Sequence, residues 1–106
     1  AARLRLHANG ETARAALIAR RIVQLGGEPD FSPDTLLARS HAAYDTSSDL
    51  KAMVKANLVA ERIAVEAYRQ MIALIGDKDP TTKRMLEAIL ADEEEHADEL
   101  KDLLEA

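Results

Sequence analysis

Apolar positions recur at helical spacing over three stretches of the chain, which predict helices over residues 3–25, 48–75 and 80–105. In the first, Leu4, His7, Ala8, Glu11, Ala15, Ile18, Ile22 and Leu25 share a face. In the second the stripe runs through Leu50, Met53, Val54, Asn57, Glu61, Ala64, Tyr68, Met71, Ile72 and Ile75. In the third it runs through Leu86, Ile89, Leu90, Glu93, His96, Ala97, Leu100 and Leu104. Each stripe therefore carries one acid among its aliphatic residues. In the third helix Glu94 falls on the flank and Glu95 on the opposite side, so the acidic run is one inward carboxylate with solvated neighbours.

The punctuation between these stretches sets their connectivity. Gly26-Gly27-Glu28-Pro29 supplies a left-handed cap and then a proline that cannot continue a helix. Asn9-Gly10 interrupts the first helical pattern at a cost of roughly 1 kcal/mol relative to Ala, and predicts a kinked or frayed start. Residues 26–47, with Pro29 and Pro33 and room for one turn at 34–38, form a connector long enough to cross the length of a bundle, which sets the first two helices parallel. His41, Tyr44 and Asp45 are expected to pack or cap within it. Ser47, Ser48 or Asp49 can cap the second helix. Gly76-Asp77-Lys78-Asp79-Pro80 is a tight link, with Asp79 as cap and Pro80 in the first turn. So short a link makes the second and third helices an antiparallel hairpin in which Glu61 approaches Glu93. Leu58, Val59, Ile63 and Leu74 widen the apolar surface of the second helix beyond one stripe, as at a subunit interface.

Composition narrows the chemistry. The chain has 106 residues, 47% hydrophobic and 3% aromatic, consistent with one all-α domain over 1–106. A formal net charge of −5 argues against a nucleic-acid partner, and no apolar run approaches the roughly 18 residues of a membrane span. A cytoplasmic protein is expected. With no cysteine, a metal must be held by oxygen and imidazole.

A carboxylate among aliphatic side chains costs several kcal/mol unless it is paired, hydrogen-bonded or bound to a cation. Ion pairs could satisfy Glu11, Glu61 and Glu93 separately, in a metal-free helical assembly module. A di-metal centre accounts for all three together, because Glu-x-x-His on a bundle helix is a ligand pair suited to iron or manganese. Setting Leu4 against Leu86 places Glu11 on Glu93, Arg14 on His96, Ile18 on Leu100 and Ile22 on Leu104. The first and third helices thus share a spacing, with arginine in one copy where the other has histidine.

The runs Asn57-Leu-Val-Ala-Glu61-Arg-Ile-Ala-Val-Glu-Ala-Tyr68, Gly76-Asp-Lys-Asp-Pro80 and Asp92-Glu-Glu-Glu-His96 resemble the last two helices of bacterioferritin and its mini-ferritin relatives. Ile22-Val-Gln-Leu-Gly-Gly-Glu-Pro29 resembles the end of that family's second helix. The resemblance implies a ferritin-like four-helix bundle, of which three helices are present here, and a di-iron centre. It further implies a homo-oligomeric cage that oxidises Fe(II) with O₂ or peroxide and stores the ferric product. Glu61 and Glu93 would bridge the irons, His96 would be a terminal ligand, and Glu11 would belong to the second helix's own motif. Glu61, Glu93 and His96 would thus carry a ferroxidase reaction. Arg14, standing where that motif has its histidine, cannot ligate a cation and is expected to pair with Glu11. The family's first helix has no counterpart here, so it is expected ahead of residue 1 in a longer polypeptide or from another chain. Haem is not expected, because Thr12 and Ala13 occupy the positions where the family carries its methionine ligand. Met53, Met71 and Met85 are expected as core filler, and Tyr68 as a packed phenol. A cage that protects DNA from peroxide is a further alternative, weakened by the acidic charge.

Overall fold

The computed structural model describes residues 2–30 and 49–106, with side chains in the first helix from residue 10 onward. The chain divides into two compact units, Ala1–Ala38 and Arg39–Ala106. Among the described residues the regular elements are three α-helices: α1 (Ala2–Gln24), α2 (Leu50–Ile75) and α3 (Pro80–Glu105). The predicted turn at 34–38, Pro33, His41, Tyr44, Asp45, Ser47 and Ser48 lie outside the described residues.

In the first unit, α1 is helical through Asn9-Gly10, so that pair does not end or fray the element. The helix stops where the glycines require it to. Gly26 takes φ +85° and its N–H donates to Val23 O at 3.0 Å, while Gly27 N–H donates to Ile22 O at 2.8 Å. These two bonds close a Schellman cap, which satisfies the last carbonyls of the helix and needs a residue without Cβ at the left-handed position.

The second unit is the α2–α3 hairpin. Asp49 is the N-cap of α2, its Oδ1 accepting from Lys51 N–H at 3.1 Å. Gly76 ends the helix at φ 53°, its N–H donating to Ile72 O at 3.0 Å. Asp79 then caps α3 by accepting from Thr82 N–H at 3.1 Å, and Pro80 occupies the first turn, where a missing N–H costs nothing. A four-residue link between two 26-residue helices leaves them only an antiparallel packing.

The hairpin buries Val54, Leu58 and Val65 from α2 and Leu86, Ile89 and Leu100 from α3, with Leu100 fully inaccessible. The α3 stripe matches the periodicity in the sequence. On α2 the inward face is rotated from the predicted one: Val65, outside the predicted stripe, is buried, while Asn57, Leu50, Met53 and Met71 are exposed. Met53 and Met71 are therefore not core filler. Because α2 is apolar on more than one side, periodicity alone does not single out the side facing α3. Across the hairpin surface, Arg69 Nη2 meets Glu94 Oε2 at 3.3 Å, an exposed pair worth at most about 1 kcal/mol.

Candidate metal centre

Glu93 lies between Ile89 and Leu100 on the inward face of α3 and is 1% exposed, while Asp92, Glu94 and Glu95 around it are exposed. The helical repeat thus separates one carboxylate from the acidic run and directs it into the hairpin. His96, one turn later on the same face, is half-buried. Glu61 comes from the middle of α2 and is also half-buried. The hairpin brings these three together: one ligand atom from each of Glu61, Glu93 and His96 lies within 4.8 Å of the others. Both carboxylate oxygens of Glu93 and Oε2 of Glu61 are closed off from solvent.

Two carboxylates and an imidazole converging inside a hydrophobic hairpin form a donor set for a divalent first-row cation. Charge argues the same way. Two acids in one buried place repel each other, and a cation between them converts that repulsion into attraction. The residues present therefore fit iron or manganese, with His96 supplying the borderline-soft donor and the glutamates the hard ones. Tyr68, two turns after Glu61 on α2, is half-buried.

Glu11 and Arg14 belong to α1 in the other unit. Glu11 departs from its predicted inward position: its side chain is 51% exposed, whereas among the described residues of α1 Arg14 is buried, at 7%. Arg14 Nη2 donates to Glu11 Oε1 at 2.7 Å, the predicted ion pair at helical i, i+3 spacing. The guanidinium folds back along its own helix over Gly10. A Cβ on Gly10 would lie 3.1 Å from Nη1 and 3.3 Å from Nη2, closer than side chains ordinarily approach. A side chain at position 10 would therefore require the guanidinium to shift by a few tenths of an ångström.

A helical hairpin with an interior carboxylate–histidine cluster is an arrangement that bundle proteins use to hold transition metals. The chain belongs to the ferritin-like family: the ferritin-like domain pattern matches residues 1–106. No curated protein matches it. A solved structure similar to it is the dodecameric thioferritin from Bacteroides fragilis, described as a bacterioferritin-related protein. The two share 32% sequence identity at a TM-score of 0.91; the match covers 97% of this chain and 62% of that one. The fold is therefore all-α and ferritin-like. No helix among the described residues is long and apolar enough to cross a membrane.

Proposed function

We propose that this chain belongs to a cytoplasmic, cage-forming homo-oligomer that takes up Fe(II), oxidises it with O₂ or peroxide and stores the ferric product. The observation that carries this reading is the convergence of Glu61, Glu93 and His96 inside the hairpin of a ferritin-like chain. Iron is the substrate, and at the centre it supplies the electron that the oxidant accepts. The protein's contribution is geometric and electrostatic. Glu93, closed off from water, presents its carboxylate to the cation in a medium of low dielectric, where their attraction is strong. Glu61 places a second carboxylate opposite it from α2. His96 supplies a neutral nitrogen donor that leaves the site's charge unchanged. Support for assembly comes from the dodecameric relative, and from apolar side chains such as Val59 and Leu74, 49% and 80% exposed.

Anaerobic Fe(II) titration of the full-length protein, followed by oxygen consumption, tests this. Uptake at the hairpin centre, lost in Glu93→Ala and in His96→Ala, is expected. If the protein takes up no iron, or if both variants consume oxygen at the unaltered rate, the ferroxidase reading fails and a metal-free assembly module takes its place.

A further inference from the structure

We infer that Asn57 is the entry residue of the metal centre: its side-chain oxygen receives a divalent cation from solvent and passes it to Glu61. The inference rests on the metal-centre reading above, adds a route to it, and lies wholly within the hairpin. The three hairpin ligands differ in access. Glu93 is 1% exposed with both carboxylate oxygens closed off, so a hydrated cation does not meet it first. Glu61 and His96 are half-buried. Against the inward line of Val54, Leu58 and Val65, Glu61 is turned about 40° to one side of α2. Against Leu86, Ile89 and Leu100, His96 is turned about 50° on α3, to the same side of the antiparallel pair. Arg69 and Glu94, whose ion pair crosses the hairpin surface, lie on the other side. The centre therefore opens along one edge of the hairpin.

Asn57 stands on that edge. Of the residues one turn from Glu61 along α2, Leu58, Ala64 and Val65 are apolar, and Asn57 alone is polar and exposed. Helical side chains lean toward the N-terminus, so the Glu61 carboxylate hangs over the turn that begins at Asn57. Asparagine is a poor helix former, and seven residues into α2 it serves no cap. A cation entering an apolar hairpin must exchange its waters for protein oxygens in steps. An amide oxygen suits the first step: it is a hard donor without charge, which holds the ion loosely enough to release it to a carboxylate. On α3 the residue one turn before His96 is the exposed Asp92, which belongs to a solvated acidic run rather than to an apolar stripe.

The test is stopped-flow mixing of the assembled full-length protein with Co(II), read by the cobalt ligand-field absorbance, with release followed in a chelator chase and affinity taken from equilibrium titration. Asn57→Ala should bind and release Co(II) roughly tenfold more slowly, the effect of losing about one hydrogen bond's worth of stabilisation at the barrier, with affinity and spectrum unchanged. Asn57→Asp should bind faster, because it adds attraction on the same path. Alanine is the better helix former, so the first variant keeps its helix. Binding by Asn57→Ala at the unaltered rate would overturn the inference while leaving the metal centre standing, and slowing by Asp92→Asn alone would move the route to α3. Lost affinity with an altered spectrum in Asn57→Ala would make the residue a resident ligand and also overturn the inference. If the unaltered protein binds no Co(II), the metal centre itself fails and the inference with it.

Discussion

Glu93 is the residue at which stability and function are opposed. A charged carboxylate 1% exposed among aliphatic neighbours carries a desolvation cost, which a cation bound in the proposed centre would offset. Glu93→Gln keeps the shape and removes the charge. In chelator it should melt at the same temperature as the unaltered protein or higher, and it should lose the rise in Tm that Mn(II) or Co(II) gives the unaltered protein. Thermal melts with and without metal check both halves; a variant that melts lower in chelator and still responds to metal would contradict this. Arg14 and Gly10 form the second residue-scale unit, and a double-mutant cycle separates them. Gly10→Ala alone sets a helix-propensity gain of roughly 1 kcal/mol against crowding of the guanidinium. In an Arg14→His background the crowding is absent and the full gain should appear in urea unfolding. Equal effects in both backgrounds would mean that the glycine is unrelated to the arginine.

The hairpin is the element on which the centre is built, and its packing is concentrated in a few side chains. Leu100, wholly inaccessible one turn beyond His96, should cost about 2–5 kcal/mol when truncated to Ala, measured by chemical denaturation. Asp79→Ala removes the acceptor of Thr82 N–H and should cost about 1 kcal/mol. Arg69→Ala, at an exposed ion pair, should cost less than about 1 kcal/mol. The ordering of these three is the sharper test: Leu100 first, Asp79 second, Arg69 last. The α3 face, the caps and the tight link were all legible in the sequence, because Asp79-Pro80, Gly76 and the spacing from Leu86 to Leu104 act within a few residues of one another. The inward side of α2 was not. That helix offers two apolar sides of similar strength, and contact with α3, rather than its own periodicity, selects the one bearing Val54, Leu58 and Val65.

For the whole molecule, the proposed cage predicts a closed oligomer of fixed mass in light scattering, independent of dilution over a wide range, because cyclic and cubic assemblies close on themselves. Leu74→Asp, at an apolar position 80% exposed in the hairpin, should shift that mass downward while the hairpin remains helical. A monomer or lone dimer of the unaltered protein would remove the storage part of the proposal. The sequence by itself determined the helices, their stops, and which residue types could ligate a metal. Helical period and cap chemistry are local, and the absence of cysteine limits a site to oxygen and imidazole. It also carried the echo of Glu93-x-x-His96 in Glu11-x-x-Arg14. The tight link already implied that Glu61 approaches Glu93; only the tertiary structure decided that ligand atoms of both lie within 4.8 Å of one from His96, because that closeness depends on the register of two helices against each other. It also decided that, of the pair Glu11 and Arg14, the arginine is the buried one. Both lie close to one helical stripe, so which of them is buried follows from the burial of the folded chain and from the space Gly10 leaves, not from helical spacing.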